Sequence, residues 1–440
     1  MNVATAGSLR ERANEEALER LVTSDPVLVD VRRASDVVPG MEANLVLTSG
    51  LPMSWDEYGP GQRNAVIGGA LYEGLARDRI QAERMVAAGE ILVDGCHAHG
   101  CIGSLAGIYT ASMPVFVVQD HVHGTTGFCN IYEGPSLKRL NYGIYDDDVE
   151  QVLRFIEGTI APTIAGALMR SDGGIPLRPL MKRALHMGDE LHSRNTAATL
   201  LFTRALFPML LDLYEKHPDD VRKTLAFMSE SDYFFLRLGM AAGKATADAA
   251  HGVRGSSLCT AMTFSSKYFS IRVSGLEKEW FSAPLEPMQA KLFEGFTEED
   301  IEYMGGESPI NETVGLGGFA QAAAFPLQAY QGGTPEDMIR MNLEMYDITV
   351  GEHPEFRIPY LAYRGTPTGI DVLAVASSGI RPVMDIGVAG RNGGQIGAGF
   401  MRAPLPCFEA AAEAYAVAYP AEAGSASAGA NSPEREGATS

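Results

Sequence analysis

Two periods of apolar and polar positions alternate along the chain. Short apolar runs at 26–31, 44–48, 91–93 and 114–119 are separated by helical stripes over 62–77 and 80–88, an order that predicts an α/β layer. The pattern is helical over 149–169 and almost wholly helical over 180–250, with helices at 219–229 and 233–250. Strands return at 258–264, 268–274, 370–376 and 383–388. Helices are expected at 316–329, entered from a glycine turn, at 334–346, capped by Thr334 with Pro335 in its first turn, and at 406–418. A surface helix is expected over 1–24. The predicted architecture is multidomain, α/β and α+β, with two mixed α/β domains flanking a small all-helical domain. The expected boundaries are an N-terminal α/β domain over 1–170, a helical domain over 171–250, a C-terminal α+β domain over 251–420 and a disordered tail over 421–440.

The stretch 183–202, RALHMGDELHSRNTAATLLF, reads as a helix around which the rest is organised. Ala184, Gly188, Leu191, Asn195, Ala198 and Phe202 fall on one stripe, apolar except at Asn195, whose buried amide needs partners. His186, Asp189, Glu190, His192 and Arg194 crowd around it. Glu190 and Arg194 have the spacing of a solvent-facing pair, but so many polar groups on one short helix also fit a wall of a polar cleft.

Composition narrows the partners. Of 440 residues, 46% are hydrophobic and 20% charged, ordinary for a folded chain. A net charge of -20, from 55 acidic and 35 basic residues, argues against nucleic acid or an anionic membrane as the main partner. Small anions need only a local arginine and backbone N–H groups. The N-terminus lacks the form of a signal peptide, the apolar stretch 197–213 is broken by Thr203, Arg204 and Pro208, and five scattered cysteines suit a reducing compartment. A cytoplasmic location is expected.

Four loops carry candidate chemistry. Cys96, His97, His99 and Cys101 lie within six positions, and Asp120, His121 and His123 end the next strand. The four histidines have side-chain types that suit zinc but a spacing that matches no strong zinc motif. Water, backbone or an anion as their partners is the plainer account, and neutral His97 and His99 would also suit a substrate pocket. ESPINETVGLGGF, 307–319, places Glu312 and Thr313 before glycines that let a ligand approach the backbone. In RGTPTGID, 364–371, Arg364, Thr366 and Thr368 are placed to hold a carboxylate or phosphate, with Asp371 capping or bracing the turn. GVAGRNGGQIGAGFMR, 387–402, reads as an anion nest to which Arg391 adds charge. Lys244 is a snorkelling surface residue or a pocket cation. No P-loop follows the glycines, and no cofactor or resident metal is predicted.

In order, MGDELHSRN, IRVSGL…WF, INETVGLGGFA, YRGTPTGIDV and GQIGAG resemble the AllG (YlbE-like) family. DVVPGM at 36–41, Glu73-Gly74 and SMPV at 112–115 fit as well, so the resemblance covers roughly 24–410. It implies one subunit of a three-part oxamate carbamoyltransferase with FdrA-like and AllH-like companions, which converts oxalurate and phosphate into oxamate and carbamoyl phosphate. Asp189, Glu190 and Glu312 are then the candidates to orient the carbamoyl group or move a proton. His97, His99, Asn195, Thr313, Arg364, Thr366 and Arg391 are the candidates to bind substrate. Departures from the family pattern, such as Gly103-Ser104-Leu105, Glu307-Ser308-Pro309 and Gly390-Arg391, fall in the polar loops where substrate choice is made. Two other readings compete: a metal-dependent amidohydrolase built on the four histidines, and a non-catalytic scaffold subunit. Glycine-rich helix faces permit close packing within one chain or in a homodimer.

Overall fold

The computed structural model describes residues 8–420. The predicted tail, 421–440, and the first seven residues of the predicted N-terminal helix lie outside them. Helices and several sheets are mixed, as expected for a multidomain α/β and α+β fold.

The N-terminal sheet runs in the order Thr126–Asn130, Pro114–Asp120, Pro26–Arg33, Ile175–Pro176, antiparallel throughout. One parallel pair, Leu45–Thr48 with Leu92–Gly95, carries the helices Pro60–Tyr72 and Arg79–Ala87. The helix Phe234–Ala249 lies on the first sheet and is buried at every position but Asp248. Such a helix is apolar all round except where buried polar groups have a purpose. Here the exceptions are Arg237, Lys244 and Thr246. Around it pack Ala161–Leu168, Arg178–His186, Thr196–Tyr214 and Pro218–Ser229, in a core that stacks Phe202 on Phe234. Thr196–Tyr214 has the length and composition to cross a membrane, but here it buries Phe202, Leu206 and Leu210 in that core.

Towards the C-terminus, three strands, Cys259–Phe264, Tyr268–Val273 and Trp280–Pro284, form a meander. A second sheet is built on the hairpin Val383–Gly390 and Gln395–Arg402. All five cysteines are buried thiols. The helix Leu9–Thr23 is more than a surface helix: it buries Ala13, Ala17 and Leu21, and Asn14 bonds Ser256 and Ser257.

Five local expectations are corrected. The strand expected over 370–376 is instead the end of a strand at Ile370 followed by the helix Val372–Ser378, which begins at the Asp371 cap. The stretch 183–202 is two helices, Arg178–His186 and Thr196–Tyr214, because Gly188 and Leu191 adopt positive φ and break the stripe. Residues 316–329 form kinked 3-10 turns, not one helix. RGTPTGI is itself a strand, Arg364–Ile370, paired with Thr349–Ile358, and Asp371 caps the helix that follows. The glycine-rich 387–402 segment is the hairpin, so its backbone N–H groups serve strand pairing instead of an anion nest.

Close packing of Phe234–Ala249 on the sheet depends on Gly127, where an added Cβ runs into the Ala241 carbonyl oxygen. Gly127→Ala is expected to cost about 1–3 kcal/mol in chemical denaturation. Gly158→Ala, where an added Cβ meets open space, is expected to be neutral or to stabilise by about 0.5–1 kcal/mol. Equal stability of the two variants would contradict this packing.

Candidate functional site

The loop between the two helices, residues 187–195, is wound around a carboxylate. Glu190 accepts the backbone N–H of His192 (3.2 Å), of Ser193 and of Arg194 (3.0 Å). Leu191, held at φ 71°, is kept there by Asn311, whose amide donates to its carbonyl at 2.8 Å. The expected Glu190–Arg194 surface pair does not form. Glu190 is fully buried, while the Arg194 guanidinium bonds the Gly188 carbonyl at 3.0 Å and reaches Asp189 at 3.5 Å.

Glu312 stands on the single turn Ile310–Thr313 and ties three segments together. Its Oε1 accepts from His192 Nδ1 (2.6 Å), from the Gly318 N–H (3.0 Å) and from the Asp385 N–H (3.1 Å). Oε2 has no donor. The glycines predicted to admit a ligand admit this carboxylate instead: a Cβ at Gly317 collides with Glu312, and one at Gly318 collides with the Val383 carbonyl.

Asp385 completes the cluster. Gln321 donates to its Oδ1, and Gln331 donates to Gln321 at 3.2 Å. Oδ2 finds no N–H or hydroxyl donor, and Glu190 is a second carboxyl close enough to interact with Asp385. Two buried carboxyl groups this close are not both charged. Burial, then repulsion from Asp385, pushes Glu190 well above the carboxylate range. Burial and the charge on Glu312 push Asp385 up to about 8. Burial opposes charge on His192, but the attraction of Glu312 and its hydrogen bond, with help from Glu190, outweigh it and raise the imidazole above its usual value.

His192 also walls a cavity of about 40 Å³. Arg139 and Arg237 line it, with Tyr132, Tyr142 and Tyr330. Arg139 donates to the Tyr132 hydroxyl (2.8 Å) and the Gln395 amide oxygen (2.5 Å), and Arg237 donates to the Asn130 amide oxygen (2.6 Å). Both guanidiniums are at least nine-tenths buried, and among the described residues neither makes an ion pair. An orienting carboxylate, an imidazole and two cations around one small chamber can bind an oxyanion and move a proton beside it.

Of the predicted site residues, Glu190 and Glu312 meet here. Asp189 and Asn195 sit at the edge in structural roles. Asp189 accepts the Ala198 N–H at 2.8 Å and so caps Thr196–Tyr214, with burial raising its pKa to about 6. Asn195 occupies the cap position but donates to the His192 carbonyl at 2.8 Å. Thr313 bonds the Pro309 carbonyl within its own turn, and Thr366 is buried in its strand with its hydroxyl unpartnered. Arg364 is exposed, paired with Glu352 at 2.7 Å and stacked on Tyr346. Arg391 is an exposed residue of the hairpin turn.

The histidines do not converge. His97 is buried against Trp280, His99 bonds Asp94 and the Pro39 carbonyl, and His121 and His123 are exposed at a turn, where His123 bonds Thr23. Among the described residues no three His, Cys, Asp or Glu side chains are grouped to hold a metal ion. Lys244 is neither a snorkelling surface residue nor part of this cavity: it is buried and paired with Asp248 at 2.8 Å.

His192, Asp385, Arg139 and Arg237 were not predicted as site residues. Two of them carry a signal: Asp385 is the one charge in VMDIGV, and Arg237 interrupts the apolar run FFLRLGMAA.

Over 411 residues the chain is 37% identical to the oxamate carbamoyltransferase subunit AllG of Escherichia coli (strain K12), a match covering 92% of this chain and 97% of that protein. The chain belongs to the AllG family. The sequence profile of that family, described as oxamate carbamoyltransferase subunit AllG, matches residues 91–308. The chain is also similar to the uncharacterized protein YahG of E. coli K12, 39% identical over 91% of this chain and 84% of that one. A crystal structure of a conserved protein of unknown function from Enterococcus faecalis V583 superposes with a TM-score of 0.91 at 35% identity, over 94% of this chain and all of the other.

The raised acid pair has a consequence for stability. Unfolded, Asp385 titrates near 3.8; folded, near 8. Between those values the folded chain keeps a proton that the unfolded chain has released. The contribution is therefore complete below about pH 4 and is lost as pH rises through about 8. Asp385→Asn is expected to flatten the fall in denaturation midpoint from pH 4 to 8. Parallel pH profiles for the variant and the parent would contradict the raised Asp385.

Proposed function

We propose that this chain is the AllG-type subunit of a cytoplasmic carbamoyltransferase complex acting on a small anionic carbamoyl compound. The reaction in this reading is oxalurate plus phosphate to oxamate plus carbamoyl phosphate, with FdrA-like and AllH-like chains as companions. The observation that carries it beyond family membership is the buried His192–Glu312 pair at the wall of a cavity holding two arginines without ion pairs.

The chemistry asks for these groups. A phosphate oxygen attacks the carbamoyl carbon, and the bond from that carbon to the amide nitrogen of oxamate breaks. The proton of hydrogen phosphate must reach the departing nitrogen. His192, held by Glu312 through Nδ1, presents its other ring nitrogen as the relay. Arginines offset charge on the carboxylate and on the tetrahedral oxyanion. The metal-hydrolase alternative has no cluster to rest on, since the four histidines lie apart. The scaffold alternative is separated by mutation.

The test is carbamoyl phosphate formation from oxalurate and phosphate, by the chain alone and with its companions. His192→Asn in an assembled complex is expected to lower turnover by about 10²-fold or more. Arg364→Ala, which removes only an exposed pair and its stacking on Tyr346, is expected to stay within about twofold of the parent. Full turnover by both His192→Asn and Glu312→Gln would assign the active site to a companion chain.

A further inference from the structure

We propose that the space between Arg139 and Arg237 is the subsite for the carboxylate of a small planar oxo acid, the group that oxamate and its carbamoyl derivative share. The choice of ligand rests on the carbamoyltransferase reading; the existence of an anion subsite rests on the two arginines alone.

Among the described residues, every hydrogen-bonding partner of these guanidiniums is neutral: the Tyr132 hydroxyl and the amide oxygens of Gln395 and Asn130. The Nε of each is buried without an acceptor. Glu133, a buried carboxylate close enough to influence both arginines, directs its oxygens elsewhere, to the Leu140 N–H at 2.6 Å and to the backbone and side-chain amides of Asn141. A guanidinium does not shed its proton to escape burial. Two such cations in one chamber therefore call for an anion. Arg364 and Arg391, the arginines picked out in the sequence, lie on exposed turns and strands and cannot serve this chamber.

The size and walls of the cavity define the anion further. Its 40 Å³ gives room for about three waters, which suits the carboxylate end of a small molecule at the arginines. Tyr132 and Tyr142 lie under the Arg139 guanidinium at 5.4 and 4.5 Å, giving flat walls that favour a planar group. His192 and Ser193 wall the same chamber. A molecule whose carboxylate rests on the arginines thus has its other end in the space served by the imidazole.

The experiment is calorimetric titration of the full chain, alone and in the assembled complex, with oxamate, with its neutral analogue oxamide, and with inorganic phosphate. Oxamate is expected to bind, oxamide at least tenfold more weakly, and Arg237→Met is expected to weaken oxamate at least tenfold. A crystal of the parent protein soaked with oxamate covers the case in which the variant does not fold, with oxamate expected between the two arginines. Oxamate seated elsewhere, affinity unchanged in Arg237→Met, or phosphate bound in place of oxamate would overturn the carboxylate assignment, as would no oxamate binding to chain or complex. Oxamate held by the arginines in a complex that forms no carbamoyl phosphate from oxalurate would leave the subsite standing and remove the transferase reading. Turnover with oxamate bound elsewhere would do the reverse.

Discussion

One carboxylate oxygen joins the parts of this protein that matter for its chemistry. Glu312 Oε1 receives the imidazole of the 187–195 loop, the N–H of Gly318 and the N–H of Asp385, from three segments far apart in sequence. Each donor is fixed by its own backbone. A buried, multiply bonded carboxylate holds its donors to a narrow geometry, since a misplaced one leaves charge unsolvated. The positive φ of Leu191 and the absence of side chains at Gly317 and Gly318 are local costs that this convergence requires.

Charge is distributed unevenly around that point. On one side three carboxyl groups, Glu190, Glu312 and Asp385, are packed where water does not reach, and the repulsion is relieved by raised carboxyl pKa values, which favour the protonated form, and by amide donors from Gln321 and the loop backbone. On the other side Arg139 and Arg237 stand in a cavity with neutral partners. His192 lies between the two sides. Anion and cation clusters held apart, with a proton-carrying ring at their boundary, form an electrostatic environment already arranged before any substrate enters.

The sequence made much of the fold legible and less of the site. Strands such as Pro114–Asp120 and Tyr268–Val273 and the helix Pro335–Met345 with its Thr334 cap follow from period and capping residues that act locally. The family was legible too, through motifs such as MGDELHSRN, because a run of unusual residues in fixed order survives where its geometry is not visible. Glu190 could be singled out from the polar crowd of 186–194, and Glu312 as the carboxylate ahead of the glycines in 307–319. Their partners could not, because the bonds joining them cross 120 residues between His192 and Glu312 and 73 between Glu312 and Asp385. The stripe through 183–202 misled because Leu191, a good helix former, takes a left-handed conformation imposed by Asn311 from a distant turn. Glycine loops misled in a similar way: Gly317 and Gly318 make room for the protein's own carboxylate, and those of 387–402 for strand pairing.

The account turns on Glu312 charging and orienting His192, and the titration of that one imidazole tests it most directly. Nitrogen-15 NMR of histidine-labelled protein, with His192 assigned by substitution, follows it across pH. The predicted result is a His192 pKa above that of an ordinary histidine, falling in Glu312→Gln, with the proton on Nδ1 throughout. An imidazole that titrates at or below the ordinary value, unmoved by Glu312→Gln, would contradict the account.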